Sequence, residues 1–65
     1  MVWYFHVVEQ DDHSWMCRHG RSVCDVHPRL AEAVAHITDL ATSSEPAEVF
    51  IHRLDDSVVK LRGPA

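Results

Sequence analysis

Glycine is scarce in this 65-residue sequence, with Gly20 and Gly63 the two examples. No glycine-rich loop is available to cradle phosphates, and no nucleophile elbow or nucleotide-binding fingerprint can be traced. Basic residues are few as well. Six Lys and Arg stand against ten Asp and Glu, giving a formal net charge of −4 and a pI near 5.8. They are dispersed, so the clustered cations that a generic nucleic-acid binder needs are lacking. Only Arg53, Lys60 and Arg62 concentrate positive charge. Long apolar runs are missing too. Met1 to Phe5 is apolar but short, has no basic start, and runs into His6 and Glu9, so it fits neither a secretion signal nor a membrane span. Two cysteines without an export signal give a reduced, cytoplasmic protein as the expectation. No repeat, low-complexity tract or linker divides the chain, which reads as a single domain over residues 1–65.

What is present is ordinary globular material, 46% hydrophobic and 25% charged, well away from disorder. The clearest pattern is an amphipathic helix from Pro28 to Ala41. Leu30, Val34, Ile37 and Ala41 recur at helical spacing, and Ala33 and Leu40 widen the stripe. Arg29, Glu32, His36 and Asp39 fall largely off it. Pro28 suits the first helical position, and Thr42-Ser43-Ser44 ends the run. A helix this short must bury its stripe, and its flanks read as strands, so its partner is a sheet. A chain of this length lies near the lower limit for an independent core, and self-association would add burial.

The strands read as Val2 to Glu9, Trp15 to His19, Ser22 to Val26, Ala47 to Leu54, and Ser57 to Arg62. The first is apolar on both faces, which marks it as central or doubly covered. Gly20-Arg21 suits a type II′ hairpin turn. The resulting register sets Cys17 opposite Cys24 and Trp15 opposite Val26, an apolar face for the helix. A two-residue turn at Asp55-Asp56 would group Phe50, His52, Leu54, Val59 and Leu61 on one side. Val49, Ile51, Arg53, Val58, Lys60 and Arg62 then share the other. The expected fold is α+β: two layers in the order β-β-β-α-β-β, an antiparallel sheet of four to five strands with one helix on one face.

No constellation carries recognisable chemistry. Cys17, His19, Cys24 and His27 are zinc-ligand types, but their spacing is not that of paired C-x2-C knuckles, and the hairpin register aims His27 away from the cysteines. Two buried cysteines are the plainer reading; a cross-strand disulfide fits the pairing distance but not a reducing setting. His6 and His52 can meet across adjacent strands, where a neighbouring carboxylate could orient either as a base. Asp11-Asp12 and Asp55-Asp56 are turn residues, too few for a calcium loop. Trp3, Tyr4 and Phe5 could stack bases, yet only His6 accompanies them. No catalytic residue, metal site or cofactor is assigned.

Three stretches carry a resemblance. They are His6-Val7-Val8 with Trp15 after a polar loop; His27 with Glu32-Ala33 and Leu40-Ala41; and Glu48 to Asp56 followed by Val58. Together the sequence resembles the small bacterial family called domain of unknown function 2188, over Phe5 to about Val59. Members typically read H-V-V, a loop, W-x-V, a helix with E-A, a strand like E-L-V-I-H and a D-G turn. Here Asp56 replaces the turn glycine, and His27-Pro28 replaces an Asp-Thr type of helix cap. The resemblance implies the same fold and no active site. A weaker likeness is to the antitoxin half of HicAB-like toxin–antitoxin pairs, though a further DNA-binding segment is not seen.

The functional expectation is a non-enzymatic interaction module that binds a protein partner or itself through a sheet face or edge. Its candidate surface comprises Trp3, Tyr4, His6, His52, Arg53, Lys60 and Arg62. RNA or ribosome association, or an antitoxin-like regulator, is the alternative, against which the acidic balance argues. An enzyme built on His6 or His52 comes third. No membrane association is expected.

Overall fold

The computed structural model describes residues 1–62. Five strands and one helix follow in the expected order: β1 (Trp3–Glu9), β2 (Trp15–His19), β3 (Ser22–His27), α1 (Leu30–Ser43), β4 (Ala47–His52) and β5 (Val58–Arg62). The fold is α+β, with the strands in the spatial order β3-β2-β1-β4-β5. Strand β1 is therefore central, as its two-sided apolar pattern suggested. Gly63-Pro64-Ala65 lies outside the described residues.

The sheet is mixed rather than wholly antiparallel. β1–β2, β2–β3 and β4–β5 pair antiparallel, but β1 and β4 are parallel. The helix is the cause. Its 14 residues carry the chain back roughly 21 Å at 1.5 Å per residue, about the length of a strand. β4 thus starts from the same end of the sheet as β3 and β1, and a helical crossover is how parallel neighbours are joined.

Helix α1 starts two residues later than its sequence pattern suggests. Pro28 precedes the cap, and Arg29 is the N-cap residue with extended backbone and no capping side-chain hydrogen bond. The apolar stripe holds: Ala33, Ile37 and Ala41 are buried and Leu30, Val34 and Leu40 pack at its margins. The opposing layer is Phe5 and Val7 from β1, Trp15 and Cys17 from β2, and Ala47, Val49 and Ile51 from β4. Burial of a large apolar side chain contributes roughly 1.5–3 kcal/mol, so this one face supplies most of what holds the chain together. The helix packs on β1 to β4, and among the described residues it makes no contact with β5.

Two loops share one geometry. At Gln10–Ser14 and again at Arg53–Ser57, the first residue donates its N–H to the carbonyl of the last, at 2.8 and 2.9 Å. In each, the fourth residue donates back to the first carbonyl, His13 to Gln10 and Asp56 to Arg53. His13 and Asp56 both have left-handed backbones, with φ of 69° and 70°. Asp12 and Asp55 accept from the backbone N–H of Ser14 and Ser57. These are three-residue hairpin-type loops ending in a left-handed residue. The second corrects the two-residue turn expected at Asp55-Asp56. Its longer loop pairs His52 with Val58 and Phe50 with Lys60, so Val58 and Lys60 join the face of Phe50 and His52. Val59 faces the side of Ile51 instead.

The β2–β3 hairpin holds the second correction. Gly20 has φ 58°, as the first central residue of a type II′ turn requires. The ladder then slips: Arg18 pairs with Val23, but Cys17 pairs with Asp25, Met16 with Val26 and Trp15 with His27. Cys24 is the extra residue of a β-bulge. Every later side chain of β3 changes face. Val26 leaves the helix side, and Asp25 and His27 enter it.

Candidate functional site

The two faces of the sheet carry two different arrangements. One face is under the helix; no described element covers the other. Register places Tyr4, His6 and Val8 of β1 on the open face, next to Met16 and Arg18 of β2 and Val23 and Val26 of β3. Glu48, Phe50 and His52 of β4, then Val58 and Lys60 of β5, complete it. Tyr4, Val23, Val26 and Val58 are 48–58% exposed, while Val8, Met16 and Phe50 are half-buried among their neighbours.

At the centre of this face His6 and His52 meet as expected, Nδ1 to Nε2 at 2.8 Å, and the His6 ring stacks on Phe50. Both titrate below the ordinary histidine value of 6.5. For His6 the causes are burial, then the positive charge of Arg18, then His52 and His19; for His52 they are burial and then Arg18. At neutral pH the pair is two uncharged rings joined by one hydrogen bond. Charge elsewhere on the face is partly internal, since Lys60 Nζ meets Glu48 Oε1 at 2.9 Å.

Of the seven residues expected to form an interaction surface, Tyr4, His6, His52 and Lys60 share this open face. Trp3 does not. It alternates with Tyr4 onto the helix side, where its ring lies 4.4 Å from that of His19. Arg53 sits past the end of β4 with its guanidinium 5.8 Å from the centre of the Trp15 ring. The side chain of Arg62 lies outside the described residues. The expected basic edge is therefore divided between two faces.

The second arrangement is under the helix, at the β2–β3 end. The bulge brings His27 Nε2 to 3.1 Å from Nδ1 of His36, on the flank of α1. One ligand atom from each of Cys17, His27 and His36 lies within 4.8 Å of the others. Asp25 Oδ2 is 3.5 Å from His27 Nε2. Cys17 is fully buried; burial, then Cys24 and Asp25, pushes its thiol up to about 11. Its Sγ donates weakly to the carbonyl of Ala33 at 3.6 Å. Cys24 is exposed, and both cysteines are free, so the cross-strand cysteine pair expected from a regular register is not formed.

The expected cluster of Cys17, His19, Cys24 and His27 is thus half dissolved and rebuilt. Cys17 and His27 remain, His19 sits against Trp3 and Phe5, and His36 replaces the other two. His36 looked like part of a solvated helix flank. The missing signal was the bulge, which no residue type in Ser22–His27 announces.

Among the described residues no helix is long and apolar enough to cross a membrane. Neither a curated protein nor a solved structure matches the chain. A family model does match, over residues 5–60, from within β1 to within β5. It is the model described as "Uncharacterized protein conserved in bacteria (DUF2188)", and the chain belongs to that family.

Proposed function

We propose that this protein is a non-enzymatic, cytoplasmic interaction module that works through the open face of its sheet, in the first place by pairing with a second copy of itself. The observation that carries the reading is the band of uncovered apolar side chains from Val23 and Val26 through Met16, Val8 and Phe50 to Val58. Contiguous apolar patches rimmed by polar groups are characteristic of association sites. A small chain whose single helix covers one face of the sheet gains burial by pairing the other. The central groups suit such a cover. His6 and His52 share one hydrogen bond, Lys60 is neutralised by Glu48, and Arg18 donates to the carbonyl of Gly20.

Size is compatible. A standard interface takes about 800 Å² per partner, close to a fifth of the chain's 4256 Å² surface. Phosphate-driven RNA binding has less support, because Lys60 is paired and Arg53 lies over Trp15 on the other side.

Light scattering coupled to size exclusion tests the reading. The expected result is a concentration-dependent dimer that Val58→Glu and Val26→Glu, both at half-exposed positions, convert to folded monomers. A wild-type chain that stays monomeric at hundreds of micromolar overturns self-association.

A further inference from the structure

We propose that Cys17, His27 and His36 form a binding site for a divalent transition metal, zinc by first preference, between the β2–β3 hairpin and the helix. Three successive elements, β2, β3 and α1, deliver one thiol and two imidazoles to a single point. These donors suit zinc, and soft thiolate with imidazole disfavours calcium and magnesium. Their spacing is that of a coordination polyhedron. Ligand bonds of about 2.0–2.1 Å to nitrogen and 2.3 Å to sulfur give tetrahedral edges of roughly 3.3 Å between nitrogens and 3.6 Å from sulfur to nitrogen. The His27 to His36 separation is 3.1 Å, and all three donors lie within 4.8 Å. A contraction of about an ångström on the sulfur side closes the set.

The surroundings fit as well. Cys17 is buried and the histidines are half-buried, so the site has a closed floor and a mouth toward solvent. Asp25 pairs with Cys17 across the hairpin, and its Oδ2 stands 3.5 Å from His27 Nε2, close to one further edge. Its carboxylate or a water can take the fourth position, the arrangement of zinc sites with three strong protein ligands. On binding, the Cys17 thiol gives its proton to solvent and the thiolate bonds the metal, so affinity falls as pH is lowered. This inference does not depend on the open face, which lies across the sheet.

Titration of the metal-free chain, purified without a histidine tag, with Co²⁺ tests it. The expected result is one Co²⁺ per chain, a near-ultraviolet thiolate-to-cobalt band and intense visible bands of a tetrahedral site, all displaced by Zn²⁺. Zinc also raises the melting temperature, because it binds the folded chain. Cys24→Ser keeps the thiolate band. His36→Gln and His27→Gln, at half-buried positions that leave the fold intact by circular dichroism, weaken Co²⁺ at least tenfold. A folded wild-type chain without the thiolate band overturns the proposal. So does a band that survives both histidine substitutions, or one that Cys24→Ser abolishes.

Discussion

Asp56 occupies a position that its residue type does not favour, and replacing it should stabilise the protein. Its φ of 70° places it in the left-handed region, where an L side chain costs roughly 1–2 kcal/mol, with Asp toward the low end. Glycine adopts that backbone freely but brings about 0.5–1 kcal/mol of extra entropy to the unfolded chain. Asp56→Gly should therefore gain a net of up to ~0.5 kcal/mol. No loop hydrogen bond is given up: the side chain that braces Ser57 belongs to Asp55, and Asp56 contributes only its N–H to the Arg53 carbonyl. A domain of this size shifts its melting temperature by about 4–8 °C per kcal/mol. The expected change is thus an increase of at most roughly 2–4 °C in a thermal melt followed by circular dichroism. His13→Gly, at φ 69° in the twin loop, should do the same, and Asp55→Ala should lower the midpoint by removing the brace. A lowered midpoint for Asp56→Gly would refute the assignment of strain to this backbone.

Two further outcomes follow from packing and charge. Ile37 is completely buried at the centre of the helix stripe, so Ile37→Ala should cost about 3–4 kcal/mol. That is a large part of the roughly 3–10 kcal/mol expected of 65 residues; a loss below about 1 kcal/mol in urea unfolding would displace Ile37 from the core. His6 and His52 titrate lower in the folded chain than their ordinary 6.5, so the unfolded chain takes up protons first. Stability is full above pH 6.5 and declines as pH falls through that value toward the lowered folded values. A double His6→Gln/His52→Gln variant should have a flatter stability profile between neutral pH and pH 5; an unchanged acid slope assigns the titration to other groups.

The elements legible from the sequence were those whose pattern is local. The helix stripe through Ala33, Ile37 and Ala41 and the alternation of Phe5 and Val7 in β1 follow from periods of 3.6 and 2. Gly20 marked its turn because only glycine takes that backbone cheaply. Strand direction was not local. Whether β4 runs with or against β1 depends on where a 14-residue helix delivers the chain, and each strand's own pattern is the same either way. The loop at Arg53–Ser57 is one residue longer than its sequence suggests, which is enough to exchange Val58 and Val59 between faces. In the candidate surface, His6 and His52 meet because both alternate on adjacent strands, while the parity of Trp3 and Arg53 already sets them apart from Tyr4 and His52 in the sequence.

The bulge at Cys24 is the most consequential of these irregularities, because by apolar burial alone the other register would win. A regular hairpin would place Cys24 and Val26 against the helix; the observed one leaves both exposed and puts Asp25 and His27 on the helix side instead. Exposing Val26 forgoes an appreciable share of the roughly 1.5–3 kcal/mol that burying such a side chain contributes. A single hydrogen bond between His27 and His36, typically about 0.5–1.5 kcal/mol net, offsets only part of that. The two proposed occupants would offset the rest, from opposite sides of one strand. A metal on Cys17, His27 and His36 would stabilise the face that gained the histidine. A second copy of the chain would cover the face that received Val26. Departures from local rules tend to fall at functional sites, and here one extra residue in β3 would build part of both proposed sites.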